Sequence, residues 1–397
     1  MSNRRDFLKL SSLASASVLM PGFLRAMRFH PLAKEGKKLV VIQWSGGNDG
    51  LNCLVPFEDD RYYQARPTLG ISPDKVLKLN DYQGFNPALA PLRELYDQGY
   101  MSLINSVGYP NPDRSHFRSM DIWHTASGSD QYWDSGWLGR YLDHSCSGCA
   151  KPHTVLEIDE SLSLAVKGEH HSAIAVTDPR RLHRNTQDPW LVSLSNEGQQ
   201  AAHPDLGFLY KTMTETIESA EYIHAQHKIH RSTIDYPKGN PLARQLKLVA
   251  ELINSGAETS VYYTSLPGFD THVNQRNKQN RLLGQYADAV AAFVKDLKQN
   301  HQLDNTVIMT FSEFGRRVDQ NASGGTDHGK ANSLFLIGGQ LRTPGFVNAA
   351  PDLGNLDDGD VSWEIDFRRI YATLLKDWLG ADDEAILQGH FKGLRLV

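Results

Sequence analysis

Short apolar runs that empty into turns rich in glycine, aspartate or asparagine recur along this chain, and they constrain its fold more than any other feature. Lys38-Leu39-Val40-Val41-Ile42-Gln43-Trp44 runs into Ser45-Gly46-Gly47-Asn48-Asp49-Gly50, Ser260 to Leu266 into Pro267-Gly268-Phe269-Asp270-Thr271-His272, and Asn305 to Phe311 into Ser312-Glu313-Phe314-Gly315. A short apolar run without polar alternation reads as a strand buried on both faces, ended by its turn. Met101 to Val107, Ser172 to Thr177 and Leu334 to Ile337 read as further strands. Helical spacing separates them at Pro87 to Tyr96, Phe117 to Thr125, Leu242 to Asn254 (closed by Gly256) and Ile365 to Leu379, while Leu282, Tyr286, Val290, Phe293 and Leu297 share one helical face. Strands alternating with helices predict an α/β fold, a three-layer α/β/α sandwich around a mostly parallel central sheet. Residues 180–240 carry His, Gln, Asn and charged side chains and no strand signal, so they read as an irregular, mainly helical insertion within a single domain of residues 36–397.

The first residues carry an address rather than a fold. Asn3-Arg4-Arg5-Asp6-Phe7-Leu8-Lys9 precedes a weakly apolar run, Leu10 to Leu24, interrupted by Ser11, Ser12, Ser15 and Ser17. Adjacent arginines before such a run read as a twin-arginine (Tat) signal rather than an ordinary basic amphipathic terminus. Residues 1–35 are therefore expected to be signal and linker, the twin-arginine translocase a partner, and the protein periplasmic or secreted. The run is too short and polar for a stable transmembrane segment. No small-x-small cleavage site precedes Arg28, which leaves an uncleaved anchor open. An oxidising compartment would favour a disulfide in Cys146-Ser147-Gly148-Cys149 over two free thiols, and no second cysteine pair is present to complete a zinc ribbon. With 41 basic and 46 acidic residues interspersed, no basic face is available for nucleic acid.

Chemistry is expected where strands end, because the carboxyl ends of parallel strands share one edge. Asp49, Asp270, His272 and Glu313 follow three such strands, and Gly324-Gly325-Thr326-Asp327-His328-Gly329 adds an Asp-His pair in a glycine-rich loop. Taken singly, Asp49 reads as a turn residue, His272 as a loop histidine, and Glu313 as an ion-pair partner of Arg316 or Arg317. Together, mixed carboxylate and imidazole donors suit a divalent metal, one or two ions of zinc, manganese, iron, magnesium or calcium, better than a thiolate metal. Ser115, at the turn entering a helix, is either an N-cap or a nucleophile in an anion pocket; His116, Arg114 and Arg118 around it favour the pocket.

These segments together resemble the bacterial family of domain of unknown function 1501, whose members look like the alkaline phosphatase and sulfatase superfamily. The matching pieces include Gly46-Gly47-Asn48-Asp49-Gly50-Leu51-Asn52, Tyr62-Tyr63 with Arg66-Pro67, Val107-Gly108-Tyr109-Pro110 with Ser115-His116-Phe117-Arg118-Ser119, Gly268 to His272, Ser312 to Arg316 and Gly325 to Gly329. The resemblance implies an alkaline-phosphatase-like sandwich. It implies Asp49 as first metal ligand, Ser115 as nucleophile, Asp270 and His272 as ligands of a second metal, and Asp327 with His328 as the late pair. One position departs: where the superfamily places Asp-His after the penultimate strand, this chain has Glu313-Phe314. Either Glu313 is that ligand and His328 the final histidine, or Asp327-His328 is the pair and Glu313 supports it. The activity implied is metal-dependent hydrolysis of a phosphate or sulfate ester, on a small molecule or glycan. No Cys-x-Pro-x-Arg segment supports a formylglycine nucleophile. The rival is a non-catalytic envelope protein of the same fold that binds a glycan or protein partner.

Overall fold

Alternate residues of the central strands serve two separate cores. In Lys38–Ser45, Val40, Ile42 and Trp44 pack into one apolar cluster while Leu39 and Val41 pack into another on the opposite face. Tyr262 and Leu266 divide from Val261 and Tyr263 in the same way, as do Phe335 and Ile337 from Leu334 and Leu336. Both faces of the sheet are therefore covered, the α/β/α sandwich that the apolar runs predict.

The computed structural model describes residues 36–145, 151–197 and 204–397, so the twin-arginine segment and Cys146-Cys149 lie outside the described residues. The strands of the nine-stranded sheet are β1 (Lys38–Ser45), β2 (Met101–Gly108), β3 (Val155–Glu157), β4 (Ile174–Ala175), β5 (Val261–Pro267), β6 (Thr306–Phe311), β7 (Asn332–Gly338), β8 (Gly345–Phe346) and β9 (Ile365–Asp366). Their order is β8-β2-β7-β6-β1-β5-β3-β4, with β9 also on β2. Only β7 runs antiparallel to its neighbours, β2 and β6. Helices α1 (His116–Thr125), α2 (Trp137–Ser145), α3 (Pro241–Asn254), α4 (Gln275–Gln299) and α5 (Phe367–Thr373) supply the outer layers. The predicted α4 face, Leu282, Tyr286, Val290, Phe293 and Leu297, is buried throughout.

Several elements differ from expectation for local reasons. Ile365 does not begin the last helix: it pairs with Val107 as β9, and Asp366 caps α5 by accepting from the Arg368 amide. Pro87–Leu92 forms a 3-10 turn before the α-helical Arg93–Asp97, because Pro91 has no N–H to give an α-helical ladder. The strand expected over Ser172 to Thr177 shrinks to β4, and the three-residue β3, behind Pro152, left too short an apolar run to see. Residues 180–240 contain parts of Pro179–Thr186, Pro189–Glu197 and Pro204–Ile229, all helical. No helix among the described residues is long and apolar enough to cross a membrane.

Candidate functional site

Three neighbouring parallel strands deliver the site. In the middle of the sheet Ser45 of β1 lies beside Pro267 of β5, and Gln43 beside Phe311 of β6, so the following turns leave from one edge. The chain crosses to β2 on one side of β1 and to β3 on the other, which makes this edge a topological switch point. Close approach of the turns requires Gly46: its φ is 120°, and a Cβ there would lie 2.3 Å from the Asp270 amide nitrogen. Its own N–H donates to Glu313 Oε1 at 2.7 Å.

His116, at the start of α1, joins Asp270 and His328 in a group whose donor atoms all lie within 4.8 Å of one another. His272 adjoins the group, its Nε2 3.0 Å from Asp270 Oδ1 and 2.9 Å from His328 Nε2. Each of the three rings has its Nδ1 facing an acceptor. His116 Nδ1 is 3.1 Å from Glu313 Oε1, His272 Nδ1 is 3.2 Å from Asp327 Oδ1, and His328 Nδ1 is 2.7 Å from the Arg114 carbonyl oxygen. An acceptor at Nδ1 places the proton of a neutral imidazole there and leaves Nε2 with a bare lone pair. The Nε2 of His116 is buried without a hydrogen-bond partner, 3.5 Å from Asp270 Oδ2. Phe314 packs against both rings, its centroid 4.8 Å from that of His116 and 4.7 Å from that of His328.

Arg316 is a fully buried cation beside the histidine group. Its guanidinium donates to Asp270 Oδ1 at 2.7 Å and to the carbonyls of Gly46, Gly47, Phe269 and Thr326. Burial works to raise the Asp270 carboxyl, but the hydrogen bond and charge of Arg316, then His328 and His272, outweigh it and hold the group down at about 2. The hydrogen bond that Glu313 accepts from it raises His116 above the ordinary imidazole value, with Asp270 adding to it against the opposing effect of burial. His328 is lowered, first by burial and then by the charges of Arg316 and His116. Asp327 is lowered chiefly by the Asn321 side chain.

Not every expected residue joins this group. Asp49 gives it no atom: the buried carboxylate pairs through Oδ2 with Arg66 Nη1 at 2.6 Å and accepts from Gln275. Glu313 pairs with His116 and not with Arg316 or Arg317. Ser115 is the exposed N-cap of α1, and its side chain makes no capping bond. Arg114 is ion-paired with Asp360 at 2.5 Å and Asp358 at 3.2 Å. Arg118 donates to the carbonyls of Gly128, Ser129 and Gln131 and lies 3.9 Å from the Tyr132 ring centroid, fastening α1 to that loop. Arg316, Arg66 and Gln275 also belong to the site, beyond the residues expected from the sequence. The signals were the position of Arg316, one residue after a glycine in a strand-end turn, and the presence of Arg66-Pro67 among the segments that carry the resemblance.

The chain belongs to the family described as Protein of unknown function (DUF1501), whose model matches residues 100–395. A search of curated proteins finds no match. Among solved structures it is similar to the lipoteichoic acid synthase LtaP from Listeria monocytogenes, at 10% identity over 89% of this chain and 76% of that one, with a TM-score of 0.38. The zinc complex of the C-terminal periplasmic domain of EptC from Escherichia coli gives 11% identity over 78% and 76%, with a TM-score of 0.36. The alkaline phosphatase from the Antarctic bacterium TAB5 gives 11% over 76% and 92%, with a TM-score of 0.33. These are similarities of fold.

Proposed function

We propose that this chain is an exported, metal-dependent hydrolase of phosphate or sulfate esters with Ser115 as its nucleophile. One observation carries the reading: three imidazoles have Nδ1 tied to acceptors and turn their Nε2 atoms toward a single carboxylate, Asp270. Lone pairs brought this close repel unless a cation or a proton stands among them, and imidazole nitrogen with carboxylate oxygen is a donor set for zinc, manganese or iron. The orphaned, buried Nε2 of His116 fits that use. His116, Asp270 and His328 would hold the ion, with His272 beside them. Glu313, Asp327 and the Arg114 carbonyl would orient the rings, the usual role of partners on the far nitrogen of a metal-bound histidine. A divalent ion bound here supplies charge for the ester oxygens and lowers the pKa of a nearby hydroxyl.

The residues of α1 do the rest. Ser115 sits between the carbonyl that anchors His328 and the His116 side chain, and its hydroxyl is not engaged as a cap. The first N–H groups of a helix lack intrahelical acceptors and, with the helix dipole, favour the anionic group of a substrate. Ser115 Oγ would bond to phosphorus or sulfur as the alcohol departs with a proton, and water would then release the covalent ester. Arg114 and Arg118 are engaged elsewhere and receive no role on the substrate. Arg4-Arg5 supports export through the twin-arginine translocase. Phe314 against both histidines favours a second reading, a binding scaffold of the same fold.

Metal content and hydrolysis of aryl phosphate and sulfate esters, measured on the same preparations, separate the two. The hydrolase reading expects chelation to abolish turnover and divalent metal to restore it. His328→Ala should lose both metal and activity, whereas Ser115→Ala should keep its metal while turnover falls by about a thousandfold or more, as when a covalent step is lost. Full activity in Ser115→Ala would remove the nucleophile assignment. Metal with no turnover toward either ester class would favour the scaffold.

A further inference from the structure

The charges around the histidine group point to how many ions it takes. Asp49, Asp270, Glu313 and Asp327 are the carboxylates at this sheet edge, and two of them are already paired with arginines whose side chains are fully buried. Arg66 meets Asp49 Oδ2 at 2.6 Å and is pinned by further bonds to Asn52 Oδ1 at 2.7 Å, the Val318 carbonyl at 2.8 Å and the Arg317 carbonyl at 2.9 Å. Arg316 meets Asp270 while donating to four carbonyls. Neither guanidinium can withdraw without leaving buried carbonyls unpaired.

We propose that the site takes one divalent cation, because Arg66 and Arg316 stand as fixed positive charges against Asp49 and Asp270. This rests on the reading of the His116, Asp270 and His328 group as a metal site. With Asp358 and Asp360 balanced by Arg114 and Arg317, these four carboxylates against the two buried guanidinium groups leave two negative charges, the charge of one divalent ion. Asp49 Oδ1 is buried and unpartnered, yet a second cation there would share a fully buried carboxylate with Arg66, and like charges that close in a dry interior repel strongly; Asp270 shares its Oδ1 with Arg316 but is half-exposed, and its Oδ2 faces His116 Nε2. Asp49 is then a support of the loop between β1 and Arg66, not a ligand. It holds that place through Gln275, which also accepts from Thr326 Oγ1 at 2.6 Å.

The test is a titration of the metal-stripped full-length chain with zinc, followed by calorimetry and checked by elemental analysis after dialysis. One ion per chain is expected in the wild type. Asp49→Asn is expected to keep that ion with affinity changed less than tenfold, while Asp270→Asn loses it. Two ions in the wild type would overturn the inference and leave the metal reading standing, as would loss of the ion in Asp49→Asn. No bound zinc at all would overturn the metal reading and this inference with it. Should Asp49→Asn fail to fold, the wild-type stoichiometry still decides.

Discussion

Glu313, fully buried two residues past the end of β6, lies between the Gly46 amide and the His116 ring. As a lone carboxylate after a strand it reads as a ligand or as a partner for the arginines that follow. Packed at the strand end, it accepts instead from the Gly46 amide and faces His116 Nδ1, away from the Nε2 that points to Asp270. Glu313→Gln should therefore weaken metal binding by about 10- to 100-fold, the effect of losing an outer partner of a ligating histidine. Loss of all binding in a folded variant would make Glu313 a ligand. Asp270, His272, Asp327 and His328 were legible in the sequence because each follows a strand or sits in a glycine-rich loop. Asp49 was legible as buried chemistry but not as the partner of Arg66, since a pairing across 17 residues leaves no periodic trace. His116 was read as part of an anion pocket; that its ring turns toward Asp270 is decided by the contact with Glu313, 197 residues away.

Elements with a strong period were legible and short ones were not. β1, β5, β6 and α3 carry long apolar patterns and match the reading within a residue, and α4 buries the face that was read though it begins seven residues before it, whereas β3, β8 and β9 are two or three residues long and hold their place only by pairing. Buried polar contacts between elements were equally hidden. His124 of α1 contacts Gln43 of β1 at 3.0 Å and the Tyr263 hydroxyl of β5 at 3.1 Å, and burial pushes its pKa down to about 4. Above the ordinary value near 6.5 the ring is neutral in folded and unfolded chains alike. Below it the unfolded chain binds a proton that the folded protein refuses until about pH 4, so stability falls as pH drops through that window. Glu157, raised by burial to about 7, works in the opposite sense over part of the range, so the informative quantity is a difference. The stability of the wild type relative to His124→Gln, from urea unfolding, should decline by roughly 3 kcal/mol between pH 6.5 and 4. Parallel loss in both proteins would show that His124 is not the titrating group.

For the whole molecule, the order of apolar runs specified the architecture, and the convergence of turns at the carboxyl edge followed from it. The sense of β7 did not: Asn332–Gly338 is apolar whichever way it runs, and its antiparallel place between β2 and β6 is set by the sheet around it. What the sheet accomplishes is to bring residues 46, 116, 270, 313 and 328 to one edge, with the buried Arg316 fixing Asp270 and with Glu313 held by the Gly46 amide and His116. A metal centre at this edge would be seen by anomalous diffraction from zinc-soaked crystals of the full chain. One anomalous peak is expected, about 2.0–2.2 Å from His116 Nε2, His328 Nε2 and an Asp270 oxygen. No peak there at saturating zinc, or an ion seated on Asp49 instead, would contradict it.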